Sequence, residues 1–399
     1  MRGVTLGLIL FHTLLFGQSR DDRIRQDLIT FTGLIIRNHP NPFDKVSRAG
    51  FESAVEQFSA SLPNLESYEI TPGFARLAAL LRDGHTSVPA TLGARFFPIR
   101  VRWFKEGLFV IQAPEAYGRA LGKRIVRIQD KTAEEAYQAL LPFISHEVDP
   151  WARYRSEDLL ISPEVLAAAK ILSEPGNAQY TFDDGGVEFS FTLSPVGLAL
   201  INAPVLAQPR NPLWRRYPDR AYWFAYLEDS ATLYFKYNQC RDSSALAMAE
   251  FTRQLLAALK DKPVRRWVID MRNNGGGNSA VLEGFARELQ TAGQRGDIPQ
   301  PESAWVLIGR QSYSSAVTNA WTLRGQNVLL AGEPTGGALT YGDVLTTNLP
   351  NTNIPVTYST KDFRSLGVVA PLQPDLAVEL TAADFLADRD PVLEAVLAR

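Results

Sequence analysis

From about residue 222 onward the chain alternates short apolar runs with amphipathic stretches, and no other feature constrains its fold as much. Strands are expected over 231–237, 264–269, 305–308 and 328–331, and helices over 245–260, 279–289 and 315–323. The strand runs are apolar without alternation, as expected of strands covered on both faces, so the pattern predicts a layered α/β domain. The first helix carries Met248, Phe251, Leu255 and Leu259 on one face, and Asp242-Ser243-Ser244 offers it a cap.

The first half reads differently. Apolar residues recur at helical spacing in Leu28, Phe31, Leu34 and Ile35, and again in Phe51, Val55 and Phe58. The Asn38-His39-Pro40-Asn41-Pro42 segment separates these helices, and a third, over 74–81, runs into Arg82-Asp83-Gly84-His85-Thr86. Short strands follow, with hairpins expected around Glu106-Gly107 and Asp183-Asp184-Gly185-Gly186. Residues 121–128 and the helix expected after them resemble a degenerate PDZ-like unit. The chain is thus divided into a leader (1–19), a helical N-terminal domain (20–95), a β-rich middle (96–204), a linker (205–221) and an α/β core (222–399). The linker holds Arg210, Arg215, Arg216 and Arg220, interrupted by Pro212 and Pro218, and reads as solvated.

Composition removes several functions. A formal charge of −2 over 399 residues, without a dense Lys/Arg run, gives no footprint for nucleic acid. The single cysteine, Cys240, has neither a disulfide partner nor metal-ligand spacing, and reads as a small half-buried side chain at a strand end. With four histidines in all, a zinc enzyme is not expected. At the N-terminus Arg2 precedes an apolar run from Val4 to Phe16 and the small residues Gly17-Gln18-Ser19, the form of an export signal. A run of about 13 residues falls short of the roughly 20 that span a bilayer, so a secreted or periplasmic protein without stable membrane insertion is expected.

Two strand-to-helix junctions in the α/β domain carry the chemistry. The first reads Asp270-Met271-Arg272-Asn273-Asn274-Gly275-Gly276-Gly277-Asn278-Ser279. Consecutive glycines let backbone N–H groups approach a ligand, and at a helix start those groups favour an anion or an oxyanion. No Gly-x-Gly-x-x-Gly or Gly-Lys-Ser/Thr sequence accompanies them, so neither a dinucleotide nor a Walker loop is indicated. The second reads Gly309-Arg310-Gln311-Ser312-Tyr313-Ser314-Ser315-Ala316. A hydroxyl at the tip of such a turn is placed either to cap the helix or to attack a substrate.

Taken together and in order, these motifs resemble those of the tail-specific (C-terminal processing) serine peptidases, in particular the tricorn-related branch. The matching segments are Asp83-Gly84-His85-Thr86, Asp270-x-Arg272-x-Asn274-x-Gly276, Ser314-Ser315-Ala316, Gly332-Glu333-x-Thr335-x-Gly337, and Pro374-Asp375 with Asp390-Pro391-Val392-Leu393. The resemblance implies a ClpP/crotonase-like C-terminal domain, a polypeptide substrate and no metal or organic cofactor. It makes Ser314 the nucleophile, with an oxyanion hole from the backbone N–H of Ser315 and of Gly276 or Gly277. It makes His85 the general base, because the position that holds a lysine in the better-known branch is Ala338 here. The branch also orients its histidine with a preceding serine and a distant glutamate; Gly84 and, near the second position, Val368 stand there instead. Lys361 and Asp362 are the supporting candidates that remain. His39 reads as structural or as a surface residue, His146 as a solvated loop residue, and Asp270 and Arg272 as ties for the glycine loop. Two rival functions stay open: a catalytically inactive binding protein on the same fold, and an acyl hydrolase acting on esters or cell-wall peptides.

Overall fold

A computed structural model describes residues 18–197, 212–260, 262–298 and 301–399. Most of the leader, and residues 205–211 of the 205–221 linker, therefore lie outside the described residues.

The N-terminal half starts with helices Arg20–Asn38, Arg48–Ser61 and Ser67–Ala79. Ser19 and Ser47 cap the first two through side-chain oxygens, and the third opens with a capping box between Glu66 and Glu69. That third helix begins well before the expected residue 74 and accommodates Pro72 inside it. An antiparallel sheet follows, in which β1 (Arg100–Phe104), β2 (Gly107–Gln112), β3 (Arg124–Ile128), β5 (Ala178–Asp184) and β6 (Val187–Leu193) are consecutive neighbours, with the short β4 (Lys131–Thr132) beside β3. Helix Asp149–Leu159, not foreseen, is held to β1 by Trp103, whose indole N–H donates to Ser156 Oγ at 3.0 Å and whose backbone N–H donates to Glu157. The helical and β-rich stretches share one hydrophobic core, from Phe31, Phe51 and Phe74 through Val110 and Ile128 to Tyr180 and Phe182.

In the C-terminal half β7 (Tyr222–Leu227) and β8 (Thr232–Tyr237) form an antiparallel pair, and β9 (Arg266–Asp270), β10 (Ser303–Ile308), β11 (Leu329–Gly332) and β14 (Leu376–Ala377) extend it in parallel. Helices Met248–Leu259, Ala280–Arg295 and Ser315–Arg324 cover one face through Phe251, Phe285 and Val317 against Phe235, Ile269 and Val306. Helix Pro391–Leu397 covers the other, setting Val392, Leu393 and Val396 against Val268, Trp305 and Leu307. Both faces are thus dry, which is why these strands read as unbroken apolar runs. The first of these helices starts at Met248, three residues later than expected, with Ala247 at its N-cap; Asp242 still accepts the Met248 N–H at 2.7 Å.

A hairpin of β12 (Tyr341–Asn348) and β13 (Pro355–Asp362) leaves this domain and enters the N-terminal core, where Leu349, Ile354, Val356 and Tyr358 are buried. Its tip docks on the first helix, where the buried Asp27 accepts hydrogen bonds from Asn351 and Thr352. Its second strand bridges Thr357 to Ser87. The segment carrying His85 is thereby clamped between the two halves.

Candidate functional site

The Ser314 turn is built by backbone bonds between the two junctions. Asn274 accepts the Tyr313 N–H on its carbonyl oxygen at 3.0 Å and donates its side-chain N–H to Tyr237 O at 2.9 Å. At this turn Ser314 has φ 54° and ψ −128°, a conformation that costs a non-glycine residue about 1–3 kcal/mol and is kept only where the surroundings impose it. The three clustered serines divide sharply. Ser312 is buried, donates to Met271 O and accepts the Gly309 N–H; Ser315 donates to Gly277 O. Ser314 heads the helix without capping it, and its hydroxyl has no hydrogen-bond partner among the described residues.

Gly276 lies directly against this serine. A Cβ at Gly276 would stand 2.6 Å from Ser314 Cβ and 3.0 Å from the Ser315 nitrogen, and the residue has φ 102°. Its N–H is occupied, however, donating to Asn274 Oδ1 at 2.9 Å. The N–H groups of Gly277 and Ser315 have no acceptor among the described residues. Of the two glycines considered for an oxyanion hole, Gly277 is the one with a free donor.

His85 belongs to the tight turn after the third helix. Asp83, fully buried, fixes that turn: Oδ1 accepts the His85 backbone N–H at 3.0 Å, and Oδ2 accepts from Thr86 Oγ1 (2.6 Å) and Ser359 Oγ (2.7 Å). His39 completes the set. Its Nδ1 accepts the Asn41 N–H, so Nε2 carries the proton that it shares with Asp83 at 3.1 Å. Burial pushes the Asp83 carboxyl up, but His39, His85, Thr86 and Ser359 outweigh it and hold the pKa below the usual value. His39 is therefore structural.

The His85 imidazole, 9% exposed, meets the Ser314 turn through Tyr313. The two rings stack at 4.5 Å, with Tyr313 Oη 3.1 Å from His85 Nδ1. The same hydroxyl lies 3.2 Å from Glu147 Oε1, whose side chain is 8% exposed and 3.9 Å from His85 Nδ1. Trp151 stacks on Tyr313 at 4.0 Å. His85 Nε2 is buried without a partner. Burial lowers the His85 pKa, yet the Glu147 and Asp83 carboxylates more than offset this, leaving it raised. No hydrogen bond joins Ser314 Oγ to His85 among the described residues.

Glu147 and Tyr313 escape the sequence reading. Tyr313 was visible only as a residue between serines. Glu147 sits in a loop without periodicity, next to His146, and nothing in the sequence brings it near His85. His146 itself corrects its reading as solvated: it is buried, Nδ1 donates to Ile144 O at 2.7 Å, and Nε2 lies 2.6 Å from Arg82 Nη1. Cys240 is likewise fully buried rather than half-buried, and burial pushes its thiol up to about 11, far from a reactive thiolate.

Lys361 and Asp362 are not brought to this cluster by any contact. Lys361 is 64% exposed and paired with Asp343, and Asp362 is clasped by Arg364. Ala338 and Val368, where a lysine and a glutamate were sought, are both buried apolar positions. Asp270 and Arg272 do tie the glycine loop: Asp270 accepts the Arg272 N–H and guanidinium, the Lys236 ammonium at 3.1 Å and the Tyr234 hydroxyl, while Arg272 also grips Asp390. Burial pulls Lys236 down to about 8 despite Asp270.

Asp83, His85 and Glu147 each place one ligand atom within 4.8 Å of the others, the one grouping of potential cation ligands among the described residues. Both Asp83 oxygens already accept hydrogen bonds from the turn, the hairpin and His39, so the trio fits a hydrogen-bonded cluster better than a metal centre.

Comparison with solved structures bears on the fold. The chain superposes on mature CPAF complexed with lactacystin with a TM-score of 0.65 and 13% identity, over 95% of this chain and 97% of that one. The chain has the fold of CPAF. Weaker likenesses extend to the tricorn protease (TM-score 0.45, 12% identity, 96% of this chain and 37% of that one) and to the photosystem II D1 C-terminal processing protease (TM-score 0.39, 14% identity, 91% and 94%). No family model and no curated protein matches the sequence. Among the described residues no helix is long and apolar enough to cross a membrane.

Proposed function

We propose that the chain is an exported serine peptidase, with Ser314 as nucleophile, His85 as general base and a C-terminal domain of the ClpP/crotonase type. The observation that carries this reading is the unpartnered hydroxyl of Ser314, held at a strained strand-to-helix turn and one residue after Tyr313, whose ring stacks on the largely buried His85 imidazole. In the reaction Ser314 Oγ bonds to the scissile carbonyl carbon while its proton passes to His85 Nε2. The oxyanion that forms is held by the Gly277 and Ser315 N–H groups. Collapse expels the amine, which takes the proton from the imidazolium, and a water molecule then releases the acyl group by the same steps in reverse order. Because no hydrogen bond joins them in the free protein, Ser314 and His85 must come within hydrogen-bond reach on substrate binding before the first step.

The open Ser314–His85 pair is also what an inactive binding protein on this fold would keep, so the test must separate the two. Hydrolysis of an unstructured polypeptide should vanish in Ser314→Ala without a change in thermal midpoint. It should fall at least about a hundredfold in His85→Ala, within the range for loss of a general base, and change little in Lys361→Ala. No turnover by the wild-type chain on peptide, ester or cell-wall peptide substrates would favour the binding protein; turnover on the latter two alone would favour another acyl hydrolase. Export is proposed from the apolar leader of Val4–Phe16. N-terminal sequencing of the extracytoplasmic protein should find a start near Ser19 or Arg20; an intact Met1 on cytoplasmic material would refute export.

A further inference from the structure

The proposed mechanism leaves His85 without the orienting partners that its resemblance to known peptidases implies, and the structure supplies others. We propose that Glu147 is the positioning carboxylate for His85 and acts through the hydroxyl of Tyr313. This inference rests on the reading of His85 as the base.

The argument follows from proton bookkeeping. Tyr313 has one hydroxyl proton, and two neighbours compete for it: Glu147, at 3.2 Å and 3.4 Å, and His85 Nδ1, at 3.1 Å. An ionised carboxylate can only accept, so the O–H points to Glu147 and the phenolic oxygen is left to accept from Nδ1–H. Burial, then the Glu147 and Asp83 charges, raise the Tyr313 pKa far above its ordinary value, so the phenol keeps its proton. The chain Glu147–Tyr313–His85 therefore selects the Nδ1–H tautomer and leaves the lone pair on Nε2, the buried nitrogen with no partner. That is the nitrogen that must take the Ser314 proton. Once it has done so, the Glu147 and Asp83 carboxylates, 3.9 Å and 3.8 Å from Nδ1, stabilise the imidazolium.

Gly84 explains why the serine expected before the histidine is absent. A Cβ there would lie 2.4 Å from Tyr313 Oη and 2.7 Å from Glu147 Oε2, inside the space that the relay occupies. The groups that face His85 are otherwise few. Asp83 lies beneath it with His39 behind, and a Cβ added at Gly342 on the hairpin would approach Nε2 to 3.9 Å, beside Phe363. Arg155 acts on Tyr313 from the helix after Glu147, more weakly than the carboxylates.

The test uses the full chain and two readouts: the pH dependence of fluorophosphonate labelling, and the NMR titration of the His85 imidazole. Glu147→Gln removes the charge and keeps the shape. It should slow labelling about a hundredfold, as expected when a general base loses its alignment, and should move both the acid limb and the His85 titration to lower pH. Tyr313→Phe keeps the stacked ring and should lose a similar factor, and the double variant should lose little more than either, as residues acting in one chain do. Gly84→Ala should impair labelling without removing any polar group. An acid limb and His85 titration unmoved in folded Glu147→Gln would overturn the assignment of Glu147. Failure of the wild-type chain to label at Ser314 would instead overturn the proposed mechanism, so the two failures remain distinct.

Discussion

Tyr313 and His85 stand 228 positions apart in sequence, yet the hydroxyl of one lies 3.1 Å from Nδ1 of the other. The contact joins the turn that exposes Ser314 to the turn that follows the third N-terminal helix, and it makes the site a product of both halves of the chain. The hairpin Tyr341–Asp362 and the Arg310 guanidinium, which donates to Trp103 O at 2.8 Å, hold those halves in register.

A raised His85 pKa fixes the direction of the pH response. The base works only when neutral, so kcat/KM should fall as pH drops through that pKa, and the midpoint should lie above that of an ordinary imidazole. The stability linkage runs in the opposite sense. Because the folded value is above the unfolded one, His85 stabilises the fold fully below its unfolded pKa, and this contribution disappears as pH rises through the folded value. An acid limb in the carboxylate range would show that another group limits the rate.

The glycine loop offers a paired test. Gly276 has φ 102° and no room for a Cβ next to Ser314, whereas Gly275 has nothing within 4 Å of such an atom. Gly276→Ala should abolish activity and lower stability by about 1–3 kcal/mol from backbone strain alone, whereas Gly275→Ala should be close to neutral in both. Kinetics and denaturant melts of the two variants check this; equal effects would mean that the loop does not seat the serine.

Much of the fold was legible in the sequence. Because two covered faces give unbroken apolar runs and helices give one-sided ones, the β8 to β11 strands and the helices between them fall within a few residues of the expected ranges, except that the helix expected over 279–289 runs on to Arg295. The hairpin 341–362 was not legible as a unit, since β12 is exposed on both faces over residues 343–346 and shows no alternation, while β13 is buried in a different core. At the site, Ser314 and His85 carried motif signals that resemble a known family. Glu147 carried none, because it acts from a loop and only tertiary packing brings it to Tyr313. Gly84 and Val368, read as departures from the pattern, mark where this chain uses a different arrangement.

The ties beneath the glycine loop should matter to stability rather than to chemistry. Asp270 is fully buried with Lys236 and Arg272 against it, and although burial raises its pKa, these two cations and Tyr234 hold it well below the usual carboxylate range. Asp270→Asn leaves the buried cations short of their partner and should cost about 3–5 kcal/mol in a denaturant melt. Because the folded pKa is depressed, the carboxylate's contribution is present above the unfolded value and is lost as pH falls below it. The stability gap between wild type and variant should therefore close with acid. A variant as stable as wild type at neutral pH would contradict this account of the network.

The central claim is that Ser314 is a nucleophile activated within this fold, and covalent labelling tests it most directly. The wild-type protein is treated with a fluorophosphonate at neutral pH, digested, and its adduct located by mass spectrometry. The account predicts a single adduct on the hydroxyl of Ser314, none in Ser314→Ala, and sharply slowed labelling in His85→Ala. An unlabelled wild-type protein, or an adduct on Ser312 or Ser315, would contradict it.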